Sequence, residues 1–405
     1  MKLNDGQTAA FSDIKEWLMS SDNVPYYFLS GQAGTGKTAL AHFIKQWAEE
    51  ELGKWVHVTA TTNKAAAVLT ATLPDLEEAG TIYSLLGLKV VNDFKTGKQN
   101  LQKTNSQNPP DYGSLVLVDE ASMVDPELMD HINNAIKDYN LRVLFIGDAF
   151  QLPPVNAGTM PVTSDHIKVS YLTEIMRAEK RQDLEQAYIS GRQMVIDDDG
   201  IYMPSASQNI TIVPHEGSKE YLANLLVHDS HTKVLAFTNK AVEGANRICR
   251  ELLGLPQDPQ VGDTLVAEDV VMINGQRIAY IGEEIEIAEV EDTTFAFNGM
   301  EVPAQNITST THKKFLRAKN AETRQICLKE LANQKNWRAY YKMKEEVADL
   351  RFTHASTVHK SQGSTYANVL VMAPNIMTCP GPSTRRRLLY VAYTRASQHL
   401  HVMTQ

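Results

Sequence analysis

Gly31-Gln32-Ala33-Gly34-Thr35-Gly36-Lys37-Thr38 is the stretch on which the fold of this chain turns. It fits G-x-x-x-x-G-K-[ST] and stands between an apolar run, Tyr26 to Ser30, and a segment with Leu40, Phe43, Ile44 and Trp47 at helical spacing. A strand, a tight turn and a helix in that order form a phosphate cradle. The glycines let backbone N–H groups of Gly31, Ala33, Gly34, Thr35 and Gly36 curl round a β-phosphate, and the helix N-terminus adds its positive dipole. Lys37 then reaches the β- and γ-phosphates and Thr38 holds Mg²⁺, so ATP with Mg²⁺ is the expected cofactor. A Gly-rich turn without a ligand is the bland alternative, and the flanking strand and helix argue against it.

Working outward, Asn4 with Gln7 three residues later marks the N-terminus of a first helix. Continuous apolar runs at Val56 to Ala60, Leu115 to Val118 and Val143 to Ile146 read as strands of a parallel sheet covered on both faces. Residues 1–165 are expected to form one α/β domain. A second set, Val234 to Phe237, His354 to Thr357, Val369 to Met372 and Leu400 to Met403, alternates with helical segments and predicts a second α/β domain over 166–260 and 351–405. Between its halves lies an insertion, 261–350. Turn signals at Asn274-Gly275, Ile281-Gly282 and Asn298-Gly299 suggest a small β-barrel over 262–305, and 312–350, rich in Lys, Glu, Ala and Leu, reads as helical.

Asp119-Glu120 closes the strand Leu115 to Val118, where nucleotide-binding sheets place acids. Asp119 is the expected Mg²⁺ partner and Glu120 the general base for the water attacking the γ-phosphate. Gly147 to Pro154 ends a further strand; Gln151 within it can sense the γ-phosphate, or the stretch is simply a Pro/Gly turn. Gln7 caps its own helix, binds an adenine edge, or does both.

With 405 residues and 43% hydrophobic content the chain can bury more than one core. Its three cysteines, Cys249, Cys327 and Cys379, form no metal or disulfide pattern, and no signal peptide or membrane span is visible, so a soluble, cytoplasmic protein is expected. The net charge of −9 argues against a phosphate-binding surface. It is unevenly spread, however: 351–405 contains Arg351, Lys360, Arg385, Arg386, Arg387 and Arg395 but no acid, leaving −15 on the rest. That asymmetry suits phosphate binding confined to one channel, or an ordinary basic helix face.

With the stretches above, Thr59 to Ala66, Val118 to Ser122, Thr357-Val358-His359-Lys360-Ser361-Gln362-Gly363 and Tyr390-Val391-Ala392-Tyr393-Thr394-Arg395-Ala396 complete a set of ordered motifs. The chain thereby resembles superfamily one DNA helicases, in particular their RecD-like branch. The resemblance implies two RecA-like domains with ATP between them and 5′ to 3′ translocation on single-stranded DNA. It makes Arg177 and Arg395 the arginines that meet the γ-phosphate from the second domain and puts Gly363 at the nucleotide. It lines the nucleic-acid channel with Thr59, Thr61, Asn63, Lys64, Thr357, His359 and Lys360. Tyr83 stands where many relatives carry His, and could stack on a base. The resemblance also implies an SH3-like domain within the insertion, a monomer, and replication or recombination proteins as partners.

Residues 85–110 alternate loosely, turn through Lys95 to Lys98 and return, which predicts a β-hairpin insertion in the first domain. In the related helicases a hairpin here splits the duplex, which makes Phe94 and Leu101 the candidate wedge residues at a duplex junction. The rivals are an ATPase that strips proteins from nucleic acid without unwinding, a binding module with an ATPase timer, and a P-loop kinase.

Overall fold

Asn4 starts helix α1 (Asp5–Met19) with the expected capping box: its side chain accepts from Gln7 N at 2.7 Å and Gln7 Oε1 accepts from Asn4 N at 3.1 Å. The computed structural model describes residues 3–22, 24–73, 79–104, 109–154, 160–176, 181–229 and 231–404. After α1 come β1 (Tyr26–Gly31), α2 (Lys37–Leu52), β2 (Val56–Ala60), α3 (Asn63–Thr72), β3 (Gly80–Thr81) and α4 (Ile82–Leu85). A hairpin of β4 (Leu88–Asn92) and β5 (Gln99–Lys103) follows, then β6 (Leu115–Asp119), α5 (Pro126–Tyr139), β7 (Arg142–Gly147) and β8 (Lys168–Leu172). The first sheet has the order β3-β2-β6-β7-β1-β8, and its strands pair in parallel. Alternate residues explain the continuous apolar runs: Tyr27, Leu29 and Leu117 pack with α1 and α2, while Phe28, Val116 and Val118 pack with α5. Strand β8 lies beyond residue 165 yet pairs with β1, so the first sheet extends past the expected boundary. Its short, half-polar sequence gave no sign of which sheet would take it.

The second domain opens with α6 (Gln182–Asp197), β9 (Ile210–Val213), α7 (Ser218–His228), β10 (Lys233–Ala236) and α8 (Asn239–Leu252). The insertion then supplies β11 (Thr264–Ala267), β12 (Val271–Ile273), β13 (Gln276–Ala279), β14 (Glu284–Phe297), β15 (Met300–Ser309) and β16 (Lys314–Ala318). Helices α9 (Ala321–Asn333) and α10 (Trp337–Glu346) and strands β17 (Val347–Ala348) and β18 (Leu350–Phe352) complete it. The Asn274-Gly275 and Asn298-Gly299 turns both have two successive positive φ values, as tight hairpin turns require. The insertion sheet runs β17-β16-β15-β14-β11-β18. Its two edge strands are separated in the chain by Asp349 alone, so the sheet must curl until its edges meet, around Leu265, Ile285, Ile307 and Phe315. The expectation that 312–350 is helical holds only for α9 and α10. Lys314–Ala318 is a strand because Phe315 and Arg317 alternate inward, Arg317 donating to Leu350 O and Gln305 Oε1.

The chain returns through β19 (Ala355–Thr357), β20 (Tyr366–Met372), α11 (Ala373–Ile376), α12 (Pro382–Tyr393) and β21 (Ala396–Met403). The second sheet is parallel, in the order β19-β10-β20-β21-β9. Leu388 to Tyr393 of α12 are all fully buried, which marks a helix enclosed on every side. Among the described residues no helix is long and apolar enough to cross a membrane.

Candidate active site and nucleic-acid interface

The phosphate cradle is built as its sequence requires. Gly34 and Gly36 adopt φ of +85° and +77°, and a Cβ on Gly36 would fall 2.4 Å from Gln7 Nε2. Helix α2 starts at Lys37 behind a glycine cap with no side-chain acceptor, so its first N–H groups point into the loop. Lys37 Nζ donates to Gly31 O at 2.6 Å and Gln32 O at 3.0 Å, while the buried amide of Gln32 finds no partner among the described residues. An amine folded back on loop carbonyls and an unmatched amide fit a loop shaped for a polyanion. Gln7 Nε2 donates to Thr35 O at 3.1 Å, so Gln7 both caps α1 and fastens it to the cradle. Thr38, at the first turn of α2, and Asp119, at the end of β6, are the candidate Mg²⁺ ligands.

Burial pushes the Lys37 amine down, against the pull of Asp148, Glu120 and Asp119. Burial raises the Asp119 carboxyl, and raises Glu120 to about 7 with help from Asp119. Glu120 sits at a left-handed φ of +51°, which turns it off the strand end toward the second domain. There Gly363, with φ +71°, comes so close that a Cβ would lie 3.3 Å from Glu120 Oε1. Arg395 is 3% exposed; its guanidinium donates to Val391 O at 3.1 Å, Ser364 O at 3.0 Å and Thr394 Oγ1 at 2.9 Å. Burial lowers its pKa and nearby Glu120 opposes that. Gln151 is 5% exposed and faces Gln362 Nε2 at 3.5 Å. Lys37, Glu120, Gln151, Gly363 and Arg395 thus converge on one interdomain cleft. Arg177 lies outside the described residues.

The residues expected to grip nucleic acid divide. Thr59 Oγ1 donates to Leu117 O at 2.8 Å and Thr61 Oγ1 to Glu120 O at 3.1 Å; both are buried and brace the acid-bearing strand instead of lining a channel. Asn63 and Lys64 are exposed on the first turn of α3. Thr357 is 8% exposed and accepts from Lys360 N at 3.3 Å. The His359 ring lies 6.2 Å from that of Phe237, and burial pushes its pKa below the ordinary histidine value. Tyr83 packs half-buried against the first-domain core beside Asp125 and Glu127, its phenol pushed up to about 12 by burial.

The basic C-terminal segment is not a free cationic surface. Lys360 is ion-paired with Glu268, Arg351 with Asp349 and Arg386 with Asp198, while Arg385, Arg387 and Arg395 donate to backbone carbonyls. The charge asymmetry therefore reflects cations already partnered within the fold, although the Lys360 side chain stays 38% exposed. Glu268→Gln, which frees Lys360, should strengthen single-strand binding by up to about fivefold at low salt. Lys64→Ala should flatten the log–log salt dependence by up to about 0.7, one contact's share. Titrations of a fluorescent oligonucleotide over a salt series check both.

The hairpin exists, with Leu88–Asn92 paired to Gln99–Lys103. Phe94 lies in its turn, 52% exposed, with its ring 6.2 Å edge-on from Tyr341 of α10. The Tyr341 hydroxyl donates to Gly97 O at 2.8 Å, and a Cβ on Gly97 would fall 2.4 Å from the Trp337 ring. Leu101 is not beside Phe94. It is half-buried against the first domain, its N–H donating to Glu127 Oε1 at 2.8 Å. Among the functional candidates the sequence reading passed over Asp148, Arg387 and Tyr390, though all lie in or beside quoted motifs.

Comparison with known proteins agrees with this architecture. The AAA domain family matches residues 2–197 and the UvrD-like helicase C-terminal domain family residues 352–403. The ATP-dependent DNA helicase dda of Enterobacteria phage T4 is 25% identical over 97% of this chain and 97% of its own length. The ATP-dependent RecD2 DNA helicase of Deinococcus radiodurans is 27% identical over 91% of this chain and 45% of its own. The chain spans nearly all of some curated relatives, and about a third to under half of others. The crystal structure of the Pif1 helicase from Candida albicans superposes with a TM-score of 0.52 at 17% identity, covering 100% of this chain and 95% of that one, a likeness of fold. By these matches and its ordered motifs, the chain is a homologue of superfamily one DNA helicases such as dda and RecD2.

Proposed function

We propose that this chain is an ATP-driven DNA helicase that moves 5′ to 3′ along single-stranded DNA and separates duplex strands. The observation that carries the proposal is the meeting of Gly363 and Arg395 from the second domain with Glu120 of the first, across from Lys37. A site completed only by both domains makes hydrolysis depend on their closure, and closure is the motion a motor needs. ATP with Mg²⁺ would be held by Gly31 to Thr38, Thr38 and Asp119 facing the cation and Gln7 the base; its terminal anhydride bond supplies the free energy. Glu120, poised near 7, takes the proton of the attacking water, and Arg395 offsets charge on the phosphoryl oxygens.

Asn63, Lys64, His359 and Lys360 would hold the strand through phosphates and stacking, without reading sequence. The hairpin, insertion and SH3-like curled sheet would stand at the duplex junction, with Phe94 as wedge. Phe94→Ala should reduce unwinding several-fold while single-strand-stimulated hydrolysis changes by less than about twofold, because opening a base-pair step costs about 1–2 kcal/mol and involves no ATP chemistry. Parallel loss of both activities, or of neither, would remove the wedge role. ATP turnover measured with and without single-stranded DNA tests the broader proposal. Strong stimulation is expected, and equal rates would point to a timer ATPase.

A further inference from the structure

The loop leaving β7 keeps a hold on the first domain, where Ala149 N donates to Ser30 Oγ at 3.2 Å and Ala149 packs on the core, but its further partners lie in the second. Gly147 still packs on the first domain, with a Cβ built there 3.2 Å from Ala121 N. One residue on, Asp148 is 1% exposed; one carboxylate oxygen accepts from Phe150 N at 3.0 Å and the other from the Tyr390 hydroxyl at 2.6 Å. Arg387, one turn earlier on α12, donates to Ala149 O at 3.0 Å and to Gln151 O at 2.5 Å. The Arg192 guanidinium of α6 lies 4.7 Å above the Phe150 ring, and Leu152 is part of the second domain's core. Burial beside Asp148 drives the Tyr390 phenol far above its ordinary range, so it remains a donor.

A buried carboxylate and two buried carbonyls need these donors, and the donors come from the helix that leads directly into Arg395. We infer that Tyr390 and Arg387 are positioning residues that fix Gln151 to the second domain, so that Gln151 and Arg395 approach the γ-phosphate as one rigid unit. The inference rests on Gln151 being a γ-phosphate sensor. It places the second domain's hold on the carbonyls of Ala149 and Gln151, while Ala149 N stays bonded to Ser30 of the first domain.

The test is a kinetic cycle of Tyr390→Phe, Gln151→Ala and the double variant, read as kcat and KM for ATP in saturating single-stranded DNA. Gln151→Ala and Tyr390→Phe should each lower kcat about tenfold or more, with KM within about twofold in Tyr390→Phe. The double variant should be no slower than Gln151→Ala within about twofold, because nothing is left for Tyr390 to place. Unchanged kcat in Tyr390→Phe, or losses that multiply in the double variant, would overturn the positioning role alone. Wild-type kcat in Gln151→Ala would remove the sensor itself and the positioning role with it. Should Tyr390→Phe fail to fold, Arg387→Met, which keeps the apolar stem but removes the single nitrogen that donates to both carbonyls, enters the same cycle under the same criteria.

Discussion

Glu120→Gln is expected to lower ATP turnover by about 10²- to 10⁴-fold, the range a positioned general base contributes, while ATP still binds. The substitution leaves Gly31 to Thr38 intact and removes only the proton acceptor. It also removes the like-charge strain between Glu120 and Asp119, so ATP affinity should stay equal or rise. Lys37→Ala, by contrast, should lose binding and turnover together. The same base predicts a pH profile. Because Glu120 must be ionised to accept a proton and its carboxyl is raised to about 7, kcat/KM should fall as pH drops below about 7. Equilibrium binding of a fluorescent nucleotide, paired with phosphate-release kinetics from pH 5.5 to 8.5, checks each statement. Loss of ATP binding in folded Glu120→Gln would sink the assignment.

Arg395→Ala should retain ATP binding and lose about three decades of turnover, as removal of other arginine fingers does. Its position makes this a sharp test. In this structure the guanidinium is fully engaged with Ser364, Val391 and Thr394, so a purely structural arginine would look the same. A structural role would appear as a lowered melting temperature with turnover within a few-fold of wild type. A phosphate role shows as kcat lower by decades in a variant that still folds and binds ATP, whatever the loss of these contacts does to the melting temperature. Arg395→Lys should fail almost as badly, because one ammonium cannot span the contacts of a planar fork.

What could be read from the residues alone follows a physical line. The cradle, the acid pair and the parallel strands were visible because local chemistry specifies them: glycines at positive φ, an amine at a fixed offset, acids at a strand end, apolar runs buried on both faces. Contacts between distant segments were not visible. Thr59 and Thr61 carry hydroxyls suited to phosphates, but carbonyls of β6 take them. Lys360 carries a free charge on paper, yet Glu268 from the insertion meets it. Strand β8 and the inward-facing Phe315 and Arg317 depended on which sheet edge was open to receive them. Phe94 and Leu101 fell on different surfaces because the turn began at Asp93, earlier than Lys95 to Lys98 suggested. Asp148 and Tyr390 are 242 residues apart, and neither signals the other in sequence.

Unwinding of duplexes carrying a single-stranded tail on the 5′ or on the 3′ end tests the central claim most directly. With ATP and Mg²⁺, the 5′-tailed duplex should be separated and the 3′-tailed and blunt duplexes left intact, with Glu120→Gln inactive on all three. Robust single-strand-stimulated hydrolysis with no separation of any duplex would contradict the claim and leave a translocating ATPase without strand-separating activity.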